Sequence, residues 1–192
     1  MTHRRSVWPW FAGVAGFLIL DQVTKALVRS HLPLHQSIPV IGDDLLRLTH
    51  VQNPGIAFGV NFISGWPLLI FGWTAAAVLA FYLYRLARRG DMMRWPVMLF
   101  LAGAVGNSID RTLFGQVTDF VDADFPDVFM ARWAVFNVAD ACVTVGIVLL
   151  VVLVLFSHGK RPKPVADSHV EVSNPTPTLP ADHRAGPTTA AD

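Results

Sequence analysis

The chain has few of the residues that stabilise and solubilise an ordinary water-exposed domain. Only 15% of its 192 residues are charged while 53% are hydrophobic, and the mean hydropathy is +0.45. Such a composition lies outside the range of a soluble globular domain. The single cysteine, Cys142, excludes an intramolecular disulfide, so stability must come from helix packing. These scarcities indicate an integral membrane protein.

Long hydrophobic runs predict four membrane-spanning helices. Each run has about 20 residues, which is enough to cross about 30 Å of hydrocarbon at about 1.5 Å per residue. The first run does not read as a cleaved signal peptide, because Asp21 and Lys25 lie where a small-residue cleavage site is expected. No internal repeat is apparent. The predicted spans are 8–28, 66–84, 95–114 and 133–156.

Basic residues flank the predicted spans on one side only. Arg4 and Arg5 precede the first span, four arginines fill the turn between the second and third spans, and a basic segment at 160–163 follows the fourth. Lysines and arginines near span ends are retained in the cytoplasm. We therefore predict that both termini are cytoplasmic and that the long loop 30–65 faces outward.

The outer loop 30–65 is too long for a hairpin turn and too apolar for a disordered linker. Its runs 37–40 and 45–51 are short, rich in aliphatic and β-branched residues, and bounded by proline or glycine, which predicts a small β-sheet. Apolar residues within 56–63 are expected to form an amphipathic stretch on the outer leaflet.

The segment 157–192 differs in composition from the rest of the chain. It combines several prolines with Ser, Thr, Ala and Asp and has no apolar periodicity, so we predict a disordered cytoplasmic tail. Residues 1–156 are expected to form the folded membrane domain. The predicted fold class is all-α integral membrane, a bundle of four transmembrane helices with a small extracytoplasmic β-sheet.

Polar residues inside the predicted spans lie at one depth. Asp21 and Asp140 are each about seven residues from the outer end of their span, and Asn107, Asp110 and Arg111 lie in the last two turns of the third span. Ionisable groups at membrane depth are costly and are therefore candidates for a functional site. The inner halves of the spans are apolar, which argues against a continuous polar pathway.

Helical spacing allows these polar side chains to point into the bundle together. Gly115 is placed to end the third helix, so that Asp119 returns on the following loop toward Asp140. Two carboxylates a few ångströms apart share one proton, and one then serves as a base and its partner as an acid. Which of them is ionised at rest stays open at this point. Residues that share a face are Asp21 with Lys25, Asn107 with Asp110 and Arg111, and Asn137 with Asp140.

Five short motifs follow one another along the chain: DQVTK at 21–25, NPGIAF at 53–58, GNSIDR at 106–111, VTDF at 117–120 and FNVAD at 136–140. In this order they resemble the motifs of the bacterial lipoprotein signal peptidases (signal peptidase II, prolipoprotein signal peptidase), a family of aspartyl proteases of the inner membrane. The resemblance covers the chain from about residue 8 to residue 156. One departure is Ala141-Cys142, where relatives often carry a serine after the last aspartate.

The resemblance implies an intramembrane aspartic endopeptidase that removes signal peptides from diacylglyceryl-modified prolipoproteins. It would cleave on the amino side of the lipidated cysteine, using water activated by a dyad of Asp119 and Asp140, without a cofactor or metal. The sheet would cradle the substrate. The resemblance assigns Asn53, Gly55, Arg111 and Asn137 to substrate binding, and Asp21, Lys25, Asn107 and Asp110 to shaping the site.

The same resemblance implies where the protein works and what it meets. Its location would be the bacterial cytoplasmic (inner) membrane, as a multi-pass monomer with its active site at the periplasmic face. Its partners would be the diacylglyceryl-modified prolipoprotein and membrane lipid, and not nucleic acid.

Several residues also have a structural interpretation. Asp21 with Lys25, and Asp110 with Arg111, could be ion pairs that hold helices in register, and a buried Arg111 is expected to pair with Asp110 or a dyad member. His31 and His35 have ligand-like spacing, but Pro33 and the lack of a third ligand disfavour a metal site. Cys142 is expected to be a core residue, and solvated loop charges are expected at Asp122, Asp124 and Asp127.

Two other classes of protein remain open on the sequence. A small proton-coupled transporter would also carry intramembrane carboxylates, but it predicts polar residues through the full membrane thickness and often repeated halves. A non-catalytic lipid-binding subunit would tolerate neutralisation of Asp119 or Asp140 with modest loss.

Overall fold

The computed structural model describes residues 5–42, 45–55, 65–124 and 134–157. The predicted tail, the amphipathic stretch within 56–63 and Asp127 lie outside these ranges. The described residues form four helices and three strands. In chain order they are α1 (Trp8–His31), β1 (Ser37–Ile41), β2 (Leu46–Asn53), α2 (Trp66–Arg89), α3 (Arg94–Phe114), β3 (Val117–Ala123) and α4 (Val138–Ser157).

All four helices are long and apolar enough to cross a membrane. Many of their large hydrophobic side chains face outward, including Phe71 of α2 and Leu155 of α4, which are exposed by 71% and 69%. Exposing so many large apolar side chains to water would be unfavourable, so these helix surfaces are suited to contact lipid. The predicted fold class, a four-helix membrane bundle with a small sheet, is confirmed.

Glycine and proline set the helix ends. Proline occupies the first turn of α1 and of α2, where its missing N–H costs no hydrogen bond. Gly115 ends α3 in the left-handed conformation with φ of 74°, and its N–H donates to the Arg111 carbonyl. The predicted helix end at Gly115 is confirmed, and the chain turns directly from α3 into β3.

The helix α3 lies at the centre of the bundle and approaches α4 closely through glycine. A Cβ atom at Gly103 would lie 2.6 Å from the Ala139 carbonyl oxygen and 2.6 Å from Val143 Cγ2. Small residues at helix contacts are the usual route to close packing in membranes, where lipid supplies no hydrophobic drive between helices. The apolar layer of the bundle consists of the buried residues Val14, Ala76, Leu83, Met98, Leu99, Leu101, Ala102 and Cys142.

The three strands form an antiparallel sheet in the order β1-β2-β3. Both strands predicted in the outer loop are present, with small changes of bounds. The third strand was not predicted, since the segment carrying Asp119 was interpreted as a loop. It pairs with β2 so that Asp119 lies opposite Val51, and a bridge between Val121 and Phe136 ties it to the start of α4. We call the end of the bundle that carries this sheet the sheet end.

The start of the fourth helix also differs from the prediction. The span was expected from residue 133, but α4 begins at Val138, after an extended segment held by hydrogen bonds between Phe136 and Val121. Asp140 therefore lies in the first turn of α4 and not seven residues inside it. This shift places Asp140 at a helix N-terminus, where a carboxylate is electrostatically favoured.

Candidate active site

Asp119 points from β3 into a buried site at the sheet end. Only 2% of the residue is exposed, and each of its carboxylate oxygens accepts a hydrogen bond from an asparagine amide. Asn137 Nδ2 donates to Oδ1 at 2.6 Å, and Asn53 Nδ2 donates to Oδ2 at 3.0 Å. Asn53 comes from the end of β2 and Asn137 from the residue before α4. The site thus joins the sheet to the helical bundle.

Asp140 and Asn137 form a reciprocal cap at the N-terminus of α4. The Asp140 backbone N–H donates to Asn137 Oδ1 at 2.9 Å, and the Asn137 backbone N–H donates to Asp140 Oδ2 at 3.2 Å. This exchange is the capping-box arrangement, in which the third residue of a helix is usually Glu or Gln. Asn107 of α3 donates to the other oxygen of Asp140 at 2.8 Å.

Asn137 connects the two carboxylates. Its side chain donates to the Asp119 carboxylate, its backbone N–H donates to the Asp140 carboxylate, and the residue is completely buried. Burial, and next the charge of Asp140, raise the pKa of the Asp119 carboxyl to about 6, although hydrogen bonds from Asn53 and Asn137 act in the opposite direction. A carboxylic acid with this pKa exchanges its proton in the physiological range, as acid–base chemistry requires.

A second polar cluster lies beneath the two aspartates. Lys25 Nζ pairs with Asp21 at 2.9 Å and with Asp110 at 3.6 Å, and it donates to Asn107 Oδ1 at 3.0 Å. Lys25 and Asp110 are fully buried, and Asp21 is nearly so. Asp21 Oδ1 also accepts the Ala139 N–H at 2.9 Å. The cluster therefore fixes the start of α4 and, through Asn107, the carboxylate of Asp140.

Asp110 organises the chain on the other side of Asp119. Its Oδ2 accepts the backbone N–H of Thr118 at 2.9 Å, the residue that precedes Asp119. Neighbouring residues of a strand point to opposite faces, so a fixed Thr118 determines the face on which the Asp119 side chain emerges. The four site-shaping residues predicted from sequence are thus brought together. With the predicted binding residue Asn137 and the predicted catalytic residue Asp140 they form what we call the polar layer, namely Asp21, Lys25, Asn107, Asp110, Asn137 and Asp140.

Arg111 departs from its predicted pairing. Within the described residues it forms no ion pair with Asp110, Asp119 or Asp140, and its Nη2 donates instead to the Gly55 carbonyl at 3.2 Å. Its Nη1 contact with the Asn107 carbonyl is long, at 3.5 Å, and its buried Nε has no partner among the same residues. A guanidinium that binds one backbone carbonyl and keeps an unused donor is suited to bind further carbonyl groups.

Sequence reasoning missed two residues of the site. Arg29 donates to Thr118 Oγ1 at 3.0 Å, approaches Asp110 at 3.6 Å and stacks on Phe114 at 4.3 Å. Gln22 donates to Asp21 at 3.0 Å and to Asp110 at 3.3 Å. Arg29 follows Lys25 by four residues on α1, so the same helical spacing that related Asp21 to Lys25 could have found it.

Other predictions for polar residues have mixed outcomes. Asp122 is not a solvated loop charge, because it is 5% exposed in β3 and accepts a hydrogen bond from Thr49 at 2.7 Å. Cys142 lies in the apolar layer as expected. His31 Nδ1 lies within 3.0 Å of the Leu27 carbonyl, and no metal-ligating cluster is found in the described ranges.

Comparisons with known proteins agree with this architecture. The family model described as Signal peptidase (SPase) II matches residues 14–156. The chain belongs to the signal peptidase II family. Lipoprotein signal peptidases of Syntrophus aciditrophicus and Bacillus velezensis are 44% and 36% identical to it. These alignments cover 70% and 77% of this chain and 84% and 95% of those proteins.

Solved structures lead to the same family of folds. A bacterial membrane enzyme determined by the in meso method at 2.3 Å resolution has a TM-score of 0.73 and 29% identity, covering 86% of this chain and 99% of that one. A second, at 1.9 Å resolution, has a TM-score of 0.64 and also 29% identity. Membership of a peptidase family makes this chain a multi-pass membrane protease, and the described residues of the five motifs that carry the resemblance meet at the sheet end or beside it.

Proposed function

We propose that this protein removes signal peptides from diacylglyceryl-modified prolipoproteins as an aspartic endopeptidase, with Asp119 and Asp140 as its catalytic pair. The supporting observation is that Asn137, in a buried site, donates to both carboxylates, to Asp119 Oδ1 through its side chain and to Asp140 Oδ2 through its backbone N–H. The relatives bear the name lipoprotein signal peptidase. No nucleophilic serine, cofactor or metal takes part in the proposed reaction.

The chemistry follows from one proton held between two carboxylates. The ionised member takes a proton from a water molecule, whose oxygen attacks the scissile carbonyl carbon. The protonated member hydrogen-bonds the carbonyl oxygen and later delivers its proton to the departing amide nitrogen. The raised pKa of Asp119 supports a carboxyl proton held in this site, because that proton is kept to a higher pH than on an ordinary aspartate.

Substrate binding is proposed for the residues that border the dyad on its open side. Arg111 already donates to the Gly55 carbonyl, and Asn53 Oδ1 accepts the Gly55 N–H at 2.9 Å. The end of β2 and Gly55 thus place backbone groups, an amide and a guanidinium beside Asp119, and groups of these kinds bind an extended peptide. The exposed apolar flanks of the helices would hold the diacyl chains.

The location of the site suits a lipid-anchored substrate. By the positive-inside rule, the sheet end faces the periplasm, both termini are cytoplasmic, and the host is the bacterial inner membrane. A diacylglyceryl cysteine lies in the outer leaflet, so its preceding peptide bond comes to the headgroup boundary. The dyad lies at this boundary, where α4 begins and water is within reach.

Cleavage of a defined substrate tests the proposal. Purified protein is mixed with a precursor peptide whose cysteine carries a diacylglyceryl group, and the products are identified by mass. We expect cleavage before the cysteine and at least about a 10³-fold loss of kcat in Asp119→Asn and in Asp140→Asn. Asp91→Asn, at the opposite end of the bundle between α2 and α3, is the matched control and should retain wild-type turnover.

The outcomes separate the remaining classes of protein. Robust turnover by either dyad variant contradicts the aspartic mechanism. Binding of the lipidated peptide without cleavage by the wild-type protein favours a lipid-binding subunit. Equal cleavage of a peptide that lacks the diacylglyceryl group contradicts the proposed substrate class while leaving the dyad chemistry intact.

A further inference from the structure

Both oxygens of Asp140 face hydrogen-bond donors. Oδ2 accepts the backbone N–H of Asn137 at 3.2 Å, and Oδ1 accepts Asn107 Nδ2 at 2.8 Å. A backbone N–H cannot become an acceptor, so a proton on Oδ2 would gain no hydrogen bond from this partner. No rotation of a side chain can turn this donor into an acceptor for a proton on Asp140 Oδ2.

Lys25 determines the orientation of the Asn107 amide on the other side. Asn107 Oδ1 accepts from Lys25 Nζ at 3.0 Å and from Asn137 Nδ2 at 3.2 Å. Rotating the amide would place its NH2 group against an ammonium group and a second NH2 group, which breaks two hydrogen bonds in a buried region. Asn107 must therefore present a donor to Asp140, and a proton on Oδ1 would also face a donor.

The environment of Asp119 is less restrictive. The donor to its Oδ1 is Asn137, whose amide orientation is fixed because its own Oδ1 caps α4. The donor to its Oδ2 is Asn53, whose amide is oriented, among the described residues, by the bond from the Gly55 N–H. Rotation of Asn53 would break that bond and would present an oxygen to Asp119. Of the four carboxylate oxygens of Asp119 and Asp140, Oδ2 of Asp119 can therefore be protonated with the loss of the fewest hydrogen bonds.

The charges around the pair indicate that it carries one proton. From α1, Lys25 and Arg29 lie beside Asp21 and Asp110, so two cations balance two carboxylates. A third cation at this end of the bundle, Arg111 of α3, hydrogen-bonds the Gly55 carbonyl and pairs with no carboxylate among the described residues. One guanidinium balances one negative charge on the pair. The N-terminus of α4 favours placing that charge on Asp140 and not on the strand residue.

We propose that the shared proton resides on Asp119, that Asp140 is the general base, and that Lys25 is a positioning residue that acts through Asn107 to keep Asp140 ionised. The inference rests on the proposed aspartic mechanism and deepens it. In the reaction, Asp140 takes one proton from water while the hydroxyl oxygen bonds to the carbonyl carbon. Asp119 gives its proton to the amide nitrogen as the carbon–nitrogen bond breaks, and transfer of a proton from Asp140 back to Asp119 restores the resting state.

Carbon-13 NMR of the aspartate carboxyl groups tests the assignment directly. Full-length protein with labelled aspartate is titrated without substrate from about pH 4 to about pH 8, and the two signals are assigned from their loss in Asp119→Asn and Asp140→Asn. We expect the Asp119 signal to titrate near pH 6 and the Asp140 signal to titrate at a lower pH. Titration of Asp140 with Asp119 already ionised overturns the assignment.

The role of the Asn107 amide has its own test. In Asn107→Ala the donor to Asp140 Oδ1 is lost, so we expect the Asp140 signal to titrate at a higher pH than in the wild type and kcat to fall about tenfold or more. Thr144→Val is the matched control. It removes a hydroxyl that bonds the Asp140 backbone carbonyl, one turn along α4, and should leave both signals unchanged. An Asp140 signal that titrates in Asn107→Ala as in the wild type contradicts the positioning role.

The proposed function and this inference fail in different ways. Turnover retained in Asp119→Asn or Asp140→Asn would contradict the aspartic mechanism. Turnover lost in both variants, together with an NMR titration that places the proton on Asp140, would contradict only the assignment of acid and base.

Discussion

The polar layer and the apolar layer of the same bundle are held together by different interactions. In the polar layer, Lys25, Asp110 and Asn137 are completely buried, and each has partners on other elements at 2.6–3.6 Å. In the apolar layer, Leu83 is equally buried but packs among the hydrocarbon side chains of its cluster. Directional bonds therefore position the reactive groups, whereas close packing holds the helices that carry them.

The difference shows what each layer tolerates. A packed apolar layer can adjust to a changed volume, because its contacts are individually weak and not directional. A buried hydrogen-bonded cluster cannot, since removing one partner leaves the others desolvated and unpaired. We therefore expect substitutions in the polar layer to reduce both stability and catalysis, and substitutions in the apolar layer to reduce stability alone.

The largest effect on stability is expected for Lys25→Met. The substitution keeps the side-chain volume but leaves Asp21 and Asp110 without their shared cation, a change that costs about 3–5 kcal/mol in buried ion pairs. Thermal unfolding in detergent measures it. Arg85→Met, at an exposed cation on α2, should change the unfolding temperature little. Similar unfolding temperatures for Lys25→Met and the wild type would contradict the account of the polar layer.

A smaller effect is expected for Gly106→Ala, which tests the fit between α1 and α3. The new Cβ would lie 2.6 Å from Asp21 Oδ2 and 3.2 Å from Ala139 Cβ, so the cluster must shift, at about 1–3 kcal/mol. Because Asp21 also holds the start of α4, we expect kcat to fall as well. Gly16→Ala is the control, since no atom of the described residues lies within 4 Å of the position that its new methyl group would take. Equal behaviour of the two variants would show that α3 does not need glycine at position 106.

The smallest effect is expected in the apolar layer. Leu83→Ala removes a fully buried side chain and should destabilise by about 1–2 kcal/mol. This is less than in a soluble core, because lipid is as apolar as leucine and only packing contacts are lost. Turnover per folded molecule should match the wild type. A kcat reduced as strongly as in Gly106→Ala would show that the two layers are not separable.

Hydropathy predicted the helices well because membrane depth imposes one length on every span. The same reasoning failed for β3, where Asp119 and Asp122 interrupt the apolar alternation expected of a strand. Both carboxylates are buried because the sheet, α1 and the start of α4 surround the strand on both faces. Such burial depends on neighbours distant in sequence, and the motif alone gives no sign of it.

The second feature that the sequence could not predict was the element that each polar helix face contacts. Asp110 and Arg111 are adjacent in sequence, but successive residues on a helix point about 100° apart. Asp110 turns toward Lys25 and Arg29 of α1, and Arg111 turns toward Gly55. Spacing placed Asn107, Asp110 and Arg111 on one broad face, which was enough to find the polar layer but not to separate the directions of Asp110 and Arg111. It could not show which neighbouring helix each face would meet, and so it gave Arg111 the wrong partner.

The pH dependence of kcat/KM tests most directly whether Asp119 and Asp140 share one proton. For the free enzyme this ratio reports the ionisation of its essential groups. The pKa of Asp119 is raised to about 6, so the pair loses its proton above that pH. We predict that kcat/KM falls as the pH rises through about 6, by about tenfold per unit beyond it, with or without a chelator. A profile that stays flat across this pH, or activity that a chelator removes, would contradict the shared proton.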